Sequence, residues 1–599
     1  MLPKVDFAQG LLGTIKGTLQ DTSGKSIAFE TIILQHTHYA VVSDEEGKFS
    51  FVDIPAGNYM IILETGTLKF KGKEITVVEG QTTETHLIVQ DSTHKLATVE
   101  LVGKSKVEEL LEKGYEVSVI DAKLYHNRNL EVSTLLSRAS GIRVRQDAGL
   151  GSPLSLSLNG LKVAQYINGV PIEIFGVAYN INNIPIHQID KIEIYKGVVP
   201  VHLGWDALGG AINIITRIQK NKSLDLSYTF GSFGTHKGSL YGVCRNQRTG
   251  LTAIVSSYMN RSDNNYTMQG MDVGNVKKNI RRFHDDYLSL SGRLELGVTK
   301  KKYADALLLG ISVSWMKKEV QTGLMQYPVA GDATAGERNV QLSLQYTKLG
   351  LLKGKLDVNV FLLLNNRATR YTDTSSRLYL WDGSYTHRLG TKEQGELDVK
   401  QDLKTFQKDA IHRYNLNYHI HRNHALVFNH ITMHSQRKNK DQWAIANNRY
   451  TGYAPDIYVK SITGLSYNSR FFHNRLQNDL FGKLYHIKTG IENGLSWEQG
   501  YFRNHGLSIK KTYAGAGLGS SFRISNKLLI KASAEYAYRI PMVYELLGDG
   551  INTLANTNLL AESSMNYNVG TLAKCIDKNG VIVNFSGSGF YRFANHFIR

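Results

Sequence analysis

From about residue 222 onward the chain alternates polar and apolar residues over runs longer than an ordinary strand needs. Leu288, Leu290, Leu294 and Leu296 stand against Ser289, Ser291, Arg293 and Glu295, and Leu356, Val358 and Val360 against Asp357 and Asn359. Further on, Leu528, Ile530, Ala532, Ala534, Tyr536 and Tyr538 stand against Lys531, Ser533, Glu535 and Arg539. A period of two puts each set on one face of a strand, so the stretch predicts a large antiparallel sheet with an apolar and a polar face. In a soluble sandwich the apolar face meets a second sheet, whereas in a membrane barrel it meets lipid and the polar face lines the lumen.

The connections separate these two architectures. Short links occur at RNQRTG (245–250), TKKKYAD (299–305), HRNH (421–424), HNRLQN (473–478), ISNK (524–527) and DKNG (577–580). Between them lie longer polar links near 261–284, 318–337, 372–407, 437–455, 491–510 and 541–562. Alternating short and long links is the pattern of an outer-membrane barrel, with short periplasmic turns and long extracellular loops. No apolar run reaches the length of a helical membrane span. The 32 tyrosines suit aromatic girdles, and 55 glycines against 9 prolines favour many strands joined by tight turns.

Upstream, residues 13–90 carry short alternating strands separated by turn signals at Asp21–Gly24, Asp44–Gly47 and Ala56–Gly57, which indicates a small β-sandwich. An extended segment, Leu96 to Lys106, follows. VEELLEKG and EVSTLLSRAS then carry helical apolar spacing. Short strands with Gly and Asn turns come next, ending in KIEIYKGVVPVHLGWDALGGAINIITR (191–217), where Ile192 and Ile194, then Ile212 and Ile214, mark two strands around a glycine-rich link.

The net charge of +18 is spread along the whole chain, with no compact basic cluster interleaved with aromatics, so a nucleic-acid groove is not expected. Cys244 and Cys575 lie far apart and form neither a disulfide framework nor a metal motif. There is no GxxxxGK phosphate loop, no GxSxG elbow and no carboxylate pair spaced for acid/base work, so no enzyme activity and no cofactor are expected. His412, His419, His421, His424, His430 and His434 crowd one stretch and raise metal or haem capture. Several sit at an expected periplasmic turn, away from where a ligand arrives, and they are read as turn and lumen residues.

Two family resemblances sharpen this reading. G-x-I-x-G-x-x-x-D-x-x-G from Gly13 to Gly24, with SDEEGKFSFVDIPAGNY from Ser43 to Tyr59, resembles the carboxypeptidase regulatory-like domain, here without any zinc-ligand set. Gly141 to Arg145 (with Arg143), Asn159-Gly160 and Ile167-Asn168-Gly169-Val170-Pro171 begin a second pattern. Glu193-Ile194-Tyr195-Lys196-Gly197, Gly204, Ala207, Gly209-Gly210, Asn213 and Thr216 complete it. In that order they resemble the plug domain of TonB-dependent outer-membrane receptors. The resemblance implies a mainly β chain: a regulatory-like β-sandwich at 10–91, a TonB box at 96–103, an α/β plug domain at 104–218 and a partial transmembrane β-barrel at 222–599.

The TonB box would be Leu96, Ala97, Thr98, Val99, Glu100, Leu101, Val102 and Gly103. It would pair as an added strand with TonB, itself driven by ExbB/ExbD of the inner membrane. The implied function is active uptake of a scarce small ligand across the bacterial outer membrane by a monomeric receptor embedded in outer-membrane lipid. A ferric siderophore is the first expectation, and cobalamin, haem or an oligosaccharide are alternatives. A β-rich surface binding protein that does not transport is the contrasting reading. Plug-to-wall ion pairs are expected among Arg143, Arg145, Glu545 and Glu562, and ligand contacts from Tyr379, Trp381, Trp443 and Tyr501.

The alternation supplies roughly 15 strands, whereas plugged outer-membrane transporters have about 22, so the antiparallel barrel is expected to be incomplete. The start lacks the apolar stretch of a secretory signal, and Phe7, Ala8 and Gln9 read as the tail of one. The expectation is a receptor lacking both its signal peptide and its final strands.

Overall fold

The computed structural model describes residues 12–598 except 22–23, 25, 29, 36, 38, 64–67, 70–71, 92–105, 127, 129, 177–179, 218–221, 274–275, 323–326, 389–393, 444–455, 499–500, 549–555, 557 and 579–580. The chain divides into two compact units, Met1–Gly103 and Lys104–Arg599. The first is the sandwich. Leu12–Asp21 runs antiparallel to Lys48–Pro55 and parallel to Thr82–Asp91. A second sheet orders Ala40–Val42, Thr31–Leu34, Gly57–Leu63 and Lys73–Val77. Alternate residues of both sheets, among them Ile15, Leu19, Ile32, Phe51, Ile61 and Val89, form its core. Gly17 lies so close to the Phe49 ring and the Thr85 carbonyl that no Cβ fits.

The second unit holds an inner domain and a wall. In the inner domain a sheet of five strands orders Val170–Pro171, Ala164–Ile167, Gly210–Thr216, Ile189–Lys196 and Val117–Asp121. The isoleucines of the glycine-rich stretch meet directly in it, Ile192 opposite Ile214 and Ile194 opposite Ile212. Both helical patterns are short helices, Lys106–Leu111 and Val132–Leu136, and the second packs its Val132, Leu135 and Leu136 into this apolar core.

The wall is a single antiparallel sheet of 15 strands. They are β1 (Ser223–Gly231), β2 (Thr235–Arg245), β3 (Leu251–Ser262), β4 (Tyr287–Thr299), β5 (Ala306–Glu319), β6 (Thr334–Gly350), β7 (Leu356–Asp373) and β8 (Gln401–His421). There follow β9 (His424–Asp441), β10 (Asp456–Phe471), β11 (Leu476–Glu498), β12 (Tyr501–Ser525), β13 (Leu528–Arg539), β14 (Glu562–Lys578) and β15 (Val581–Asn595). Each pairs with its sequence neighbour, and β1 and β15 are not paired with one another. The period of two sorts side chains as expected. On β11, Lys483, Tyr485 and Ile487 are buried toward the inner domain, while Leu480 and Leu484 are 57% and 54% exposed on the outside.

The links alternate as the sequence implied, with three differences. A further short turn joins β6 to β7 through Leu351–Gly354. The link between β1 and β2 is short although it lies on the long-loop side. The long link expected at 491–510 is instead a continued hairpin, because the β11–β12 ladder runs on to Glu498 opposite Tyr501.

Ile194 is fully buried in the inner-domain core. Truncating it to alanine in the intact chain is expected to destabilise that domain by about 2–5 kcal/mol. The check is earlier unfolding of the inner domain, read by limited proteolysis along a urea series, with the wall's β signal retained.

Candidate functional site

The motif residues of the inner domain are brought together, and most of them fasten turns. Asn159-Gly160 and Asn168-Gly169 adopt the left-handed backbone that two-residue hairpins require, between Leu158 and Leu161 and between Ile167 and Val170. Asn168 donates to the Thr216 hydroxyl (2.8 Å) and accepts from the Thr216 amide (3.0 Å), and the Gly169 amide donates to the Asn213 side chain (2.9 Å). Asn213 and the Tyr195 hydroxyl each donate to Glu193 at 3.1 Å. Pro171 leads into the turn Ile172–Phe175, the Lys196 amide donates to the Glu116 carbonyl, and Ala207 is buried. Gly197, Gly204 and Gly210 have positive φ, and no Cβ fits at Gly204 against Asn429, at Gly209 against Leu161 or at Gly210 against the Tyr195 carbonyl.

This frame aims one group of side chains at the loop side of the wall. Glu173, on the turn Ile172–Phe175, accepts from the Trp205 indole N–H at 2.5 Å. The Lys460 ammonium of β10 sits 4.2 Å over the Trp205 ring and pairs with Asp206 at 2.5 Å. The other Asp206 oxygen accepts from the Ile540 amide at 2.6 Å. Glu173, Trp205 and Lys460 floor a cavity of about 580 Å³, whose walls include Arg367, Asp409, Met433, Arg437, Tyr458 and Tyr544. That volume suits a small ligand, and cationic, anionic and aromatic groups converge on it. Burial pushes the Glu173 carboxyl above the usual carboxylate range, against the opposing pull of Lys460.

Charged groups also pin the inner domain to the wall. Lys483 bridges Glu535 (2.6 Å) and the Val199 carbonyl (2.8 Å), and Glu535 accepts from the Val199 amide at 3.0 Å. Lys237 pairs with Glu131 at 2.5 Å, and Arg523 pairs with Glu112. Arg413, Asn415 and Asn429 all donate to the His202 carbonyl. The His202 imidazole is lowered to about 3 by burial, reinforced by Lys113, Arg413 and Lys483, so it is neutral near pH 7.

The residues expected to make these pairs are placed elsewhere. Glu545 and Glu562 both bind Arg539 of β13, a wall residue, and Arg145 binds the nearby Asp147 at 2.8 Å. Arg143 lies on an exposed strand position opposite Ser157. The reason is strand parity: Ile142 and Val144 pack against the core, which turns Arg143 and Arg145 the other way.

The expected aromatic contacts also separate. Trp381 is 4% exposed, packed in a core belonging to the loops themselves with Met268, Met271, Val273 and Val329, and Tyr379 covers this cluster. Glu396 ties those loops down by accepting from the amides of Gly331, Asp332 and Ala333. Trp443 lies under Lys400, 5.4 Å from its ring centre. The Tyr501 side chain and the whole segment Leu96–Gly103 lie outside the described residues. Glu173, Trp205, Asp206, Arg437 and Lys460 were not singled out by sequence reasoning. The only available signal was a Trp-Asp pair inside a stretch otherwise rich in glycine and alanine.

Comparison with known proteins gives a consistent result. Residues 109–211 match the TonB-dependent Receptor Plug Domain and residues 14–90 the Carboxypeptidase regulatory-like domain. A curated relative, the vitamin B12 transporter BtuB of Vibrio vulnificus (strain CMCP6), is 29% identical over 124 residues, which is 20% of this chain and 18% of that protein. The chain therefore spans under a fifth of that relative in the match. Among solved structures, the copper transporter OprC superposes with a TM-score of 0.59 at 13% identity, over 81% of this chain and 73% of its own. The ferric yersiniabactin uptake receptor FyuA of Yersinia pestis gives 0.52 at 14% identity, over 80% and 72%. At these identities the structural likeness establishes the fold.

Two outcomes follow for the floor of the cavity. Replacing Lys460 with methionine leaves Asp206 buried without its counter-ion and is expected to loosen the inner domain by about 3–5 kcal/mol, read as earlier protease cleavage in denaturant. Glu173 holds its proton more tightly in the folded than in the unfolded chain. Its contribution is therefore destabilising above its raised folded value and is relieved as pH falls through that value. Glu173→Gln should flatten that slope, measured as denaturation midpoint against pH.

Proposed function

We propose that the chain is a TonB-dependent receptor that imports a small metal chelate, a ferric siderophore in the first instance, across the outer membrane. The observation that carries this reading is the cavity above Trp205: it opens toward the long-loop side, and its floor is a domain pinned inside the wall by the buried Lys460–Asp206 pair and by the bonds of Lys483 and Glu535 to the Val199 backbone. Arg367, Arg437 and Lys460 offer charge complementarity to the anionic oxygens of an iron chelate, and Trp205, Tyr458 and Tyr544 offer flat surface. The wall's outward apolar rows sit in outer-membrane lipid, and the short turns face the periplasm.

Leu96–Gly103 serves as the TonB box, adding a strand to TonB so that force from the inner membrane reaches the plug. Force applied there acts on a plug whose floor residues also line the ligand cavity, so displacement of the plug alters the binding site. The BtuB relative is a vitamin B12 transporter by name, and cobalamin is accordingly the competing ligand to test.

The experiment is uptake of radiolabelled ferric siderophores and of cobalamin by iron-starved cells carrying the receptor. Trp205→Ala is expected to weaken binding of the accepted ligand by about tenfold or more, as loss of an aromatic anchor does. Val99→Pro removes a backbone donor from the TonB box, so uptake should cease while surface binding persists. Saturable cobalamin uptake with no ferric chelate bound would replace the ligand, and binding unaffected by Trp205→Ala would displace the site.

A further inference from the structure

The histidine-rich stretch divides: His419, bonded to Asn417 and Asp357, lines a cavity with Lys113 and Tyr115 of the inner domain, as turn and lumen residues should, whereas three of the other histidines do not face the lumen. His421 and His424 flank the β8–β9 turn. His412, His430 and His434 alternate with Ile411, Arg413, Asn429, Ile431 and Met433, which are buried toward the plug, so the three imidazoles face outward. They join a polar field on the membrane side. One ladder row runs Leu309, Leu344 and Leu362 across β5, β6 and β7, then changes to His412, Thr432, Ser461, His486 and Thr512 across β8 to β12. The next row toward the loops runs Ile311, Leu342, Leu364 and Ala410, then His434, Val459, Lys488 and Lys510.

The lower of these rows is bonded within itself and to His430 of the row beneath it, which in turn meets Thr463. His430 meets Thr463 at 2.8 Å and Thr432 at 3.0 Å, Thr432 meets Ser461 at 2.8 Å, and His486 meets Thr512 at 2.9 Å. Above it, Lys488 and Lys510 are directly opposite one another and exposed, and neither has an ion-pair partner among the described residues. Like charges directly opposed on a strand pair are destabilising unless an anion lies between them. Below, toward the periplasmic turns, the same strands present Leu465, Leu480, Leu484 and Leu518. Outward from the turns, the order is thus apolar, then hydroxyl and imidazole, then ammonium.

We infer that the outward face of β9–β12 is a binding site for a phosphorylated glycolipid of the outer leaflet. This rests on the wall lying in a bilayer. Acyl chains lie on the leucines, sugar hydroxyls exchange hydrogen bonds with the Thr432, Ser461 and His486 row, and a phosphate bridges Lys488 and Lys510. The match is one of polarity sequence and charge: the lipid's own order from tail to phosphate is the order of the rows. β5–β7, whose residues in those rows are leucine and isoleucine, carry no such field.

The test places the protein in phosphatidylcholine nanodiscs containing lipid A, either phosphorylated or enzymatically dephosphorylated, and reads retained lipid by native mass spectrometry. Retention of the phosphorylated form alone is expected, reduced at least about tenfold in Lys488→Gln/Lys510→Gln and lowered in Thr432→Ala/Ser461→Ala. Lys317→Gln, an outward lysine on β5, should retain lipid as the unaltered protein does. Equal retention of both lipid forms, or no loss in the double lysine variant, overturns the site. Displacement by inorganic phosphate alone overturns it in favour of a free-anion site. Entry into discs free of lipid A reads the membrane reading of the wall separately.

Discussion

Every peptide group of a wall strand in a bilayer has to find its partner on a neighbouring strand, because hydrocarbon supplies none. That constraint fixes the rest of the second unit. It forces long continuous ladders between consecutive strands, and the ladders fix strand parity, so the inward and outward residues of each strand are decided together. A shift of one residue would expose Lys483 and Lys460 to lipid and turn Leu480 and Leu484 onto the plug.

The inward parity gives the plug its attachments. Lysines on β10 and β11 reach plug carboxyl and carbonyl groups with the Trp205 ring and Glu535 beside them, so each buried ammonium has an anionic partner. Desolvating such groups is costly, and the cost is tolerable only where the partners are already in place. Along β6 and β7 the contacts are neutral by contrast: Asn339 donates to the Phe175 carbonyl at 2.8 Å, and Asn365 donates to the Ile174 carbonyl at 3.4 Å. The turn that carries Glu173 is therefore held on one side by amides and on the other by the charged floor that includes Lys460. The cavity lies over that junction, so its lining and the attachment of the plug to the wall share the same side chains.

Much of this was legible in the sequence. Residue alternation gave a large antiparallel sheet, the turn signals gave most of its links, and the asparagine-glycine pairs and isoleucine runs located the plug's hairpins and strands. These are local properties: period, turn chemistry and short motifs act over a few residues and do not depend on distant parts of the chain. The hairpin at β11–β12 was misjudged because a polar, aromatic stretch lacks the apolar alternation of the membrane-spanning part, yet its backbone pairing continues.

Pairing between distant residues was beyond the sequence. Arg143 and Arg145 were matched with Glu545 and Glu562 by sign alone, but strand parity turns the arginines away from the inner-domain core to exposed positions, and Arg539 takes both carboxylates. Trp381 was read as a ligand contact, yet the loops fold on themselves and bury it. The histidines were assigned to a turn and the lumen; His421 and His424 do flank the turn, but parity against Ile411, Asn429 and Ile431 puts His412, His430 and His434 outside. The sequence by itself determined that the chain is a sandwich, a plug and a plugged β-wall. The tertiary structure alone decided which charges meet, what floors the cavity and which side chains face lipid, because those outcomes depend on register between strands hundreds of residues from the plug.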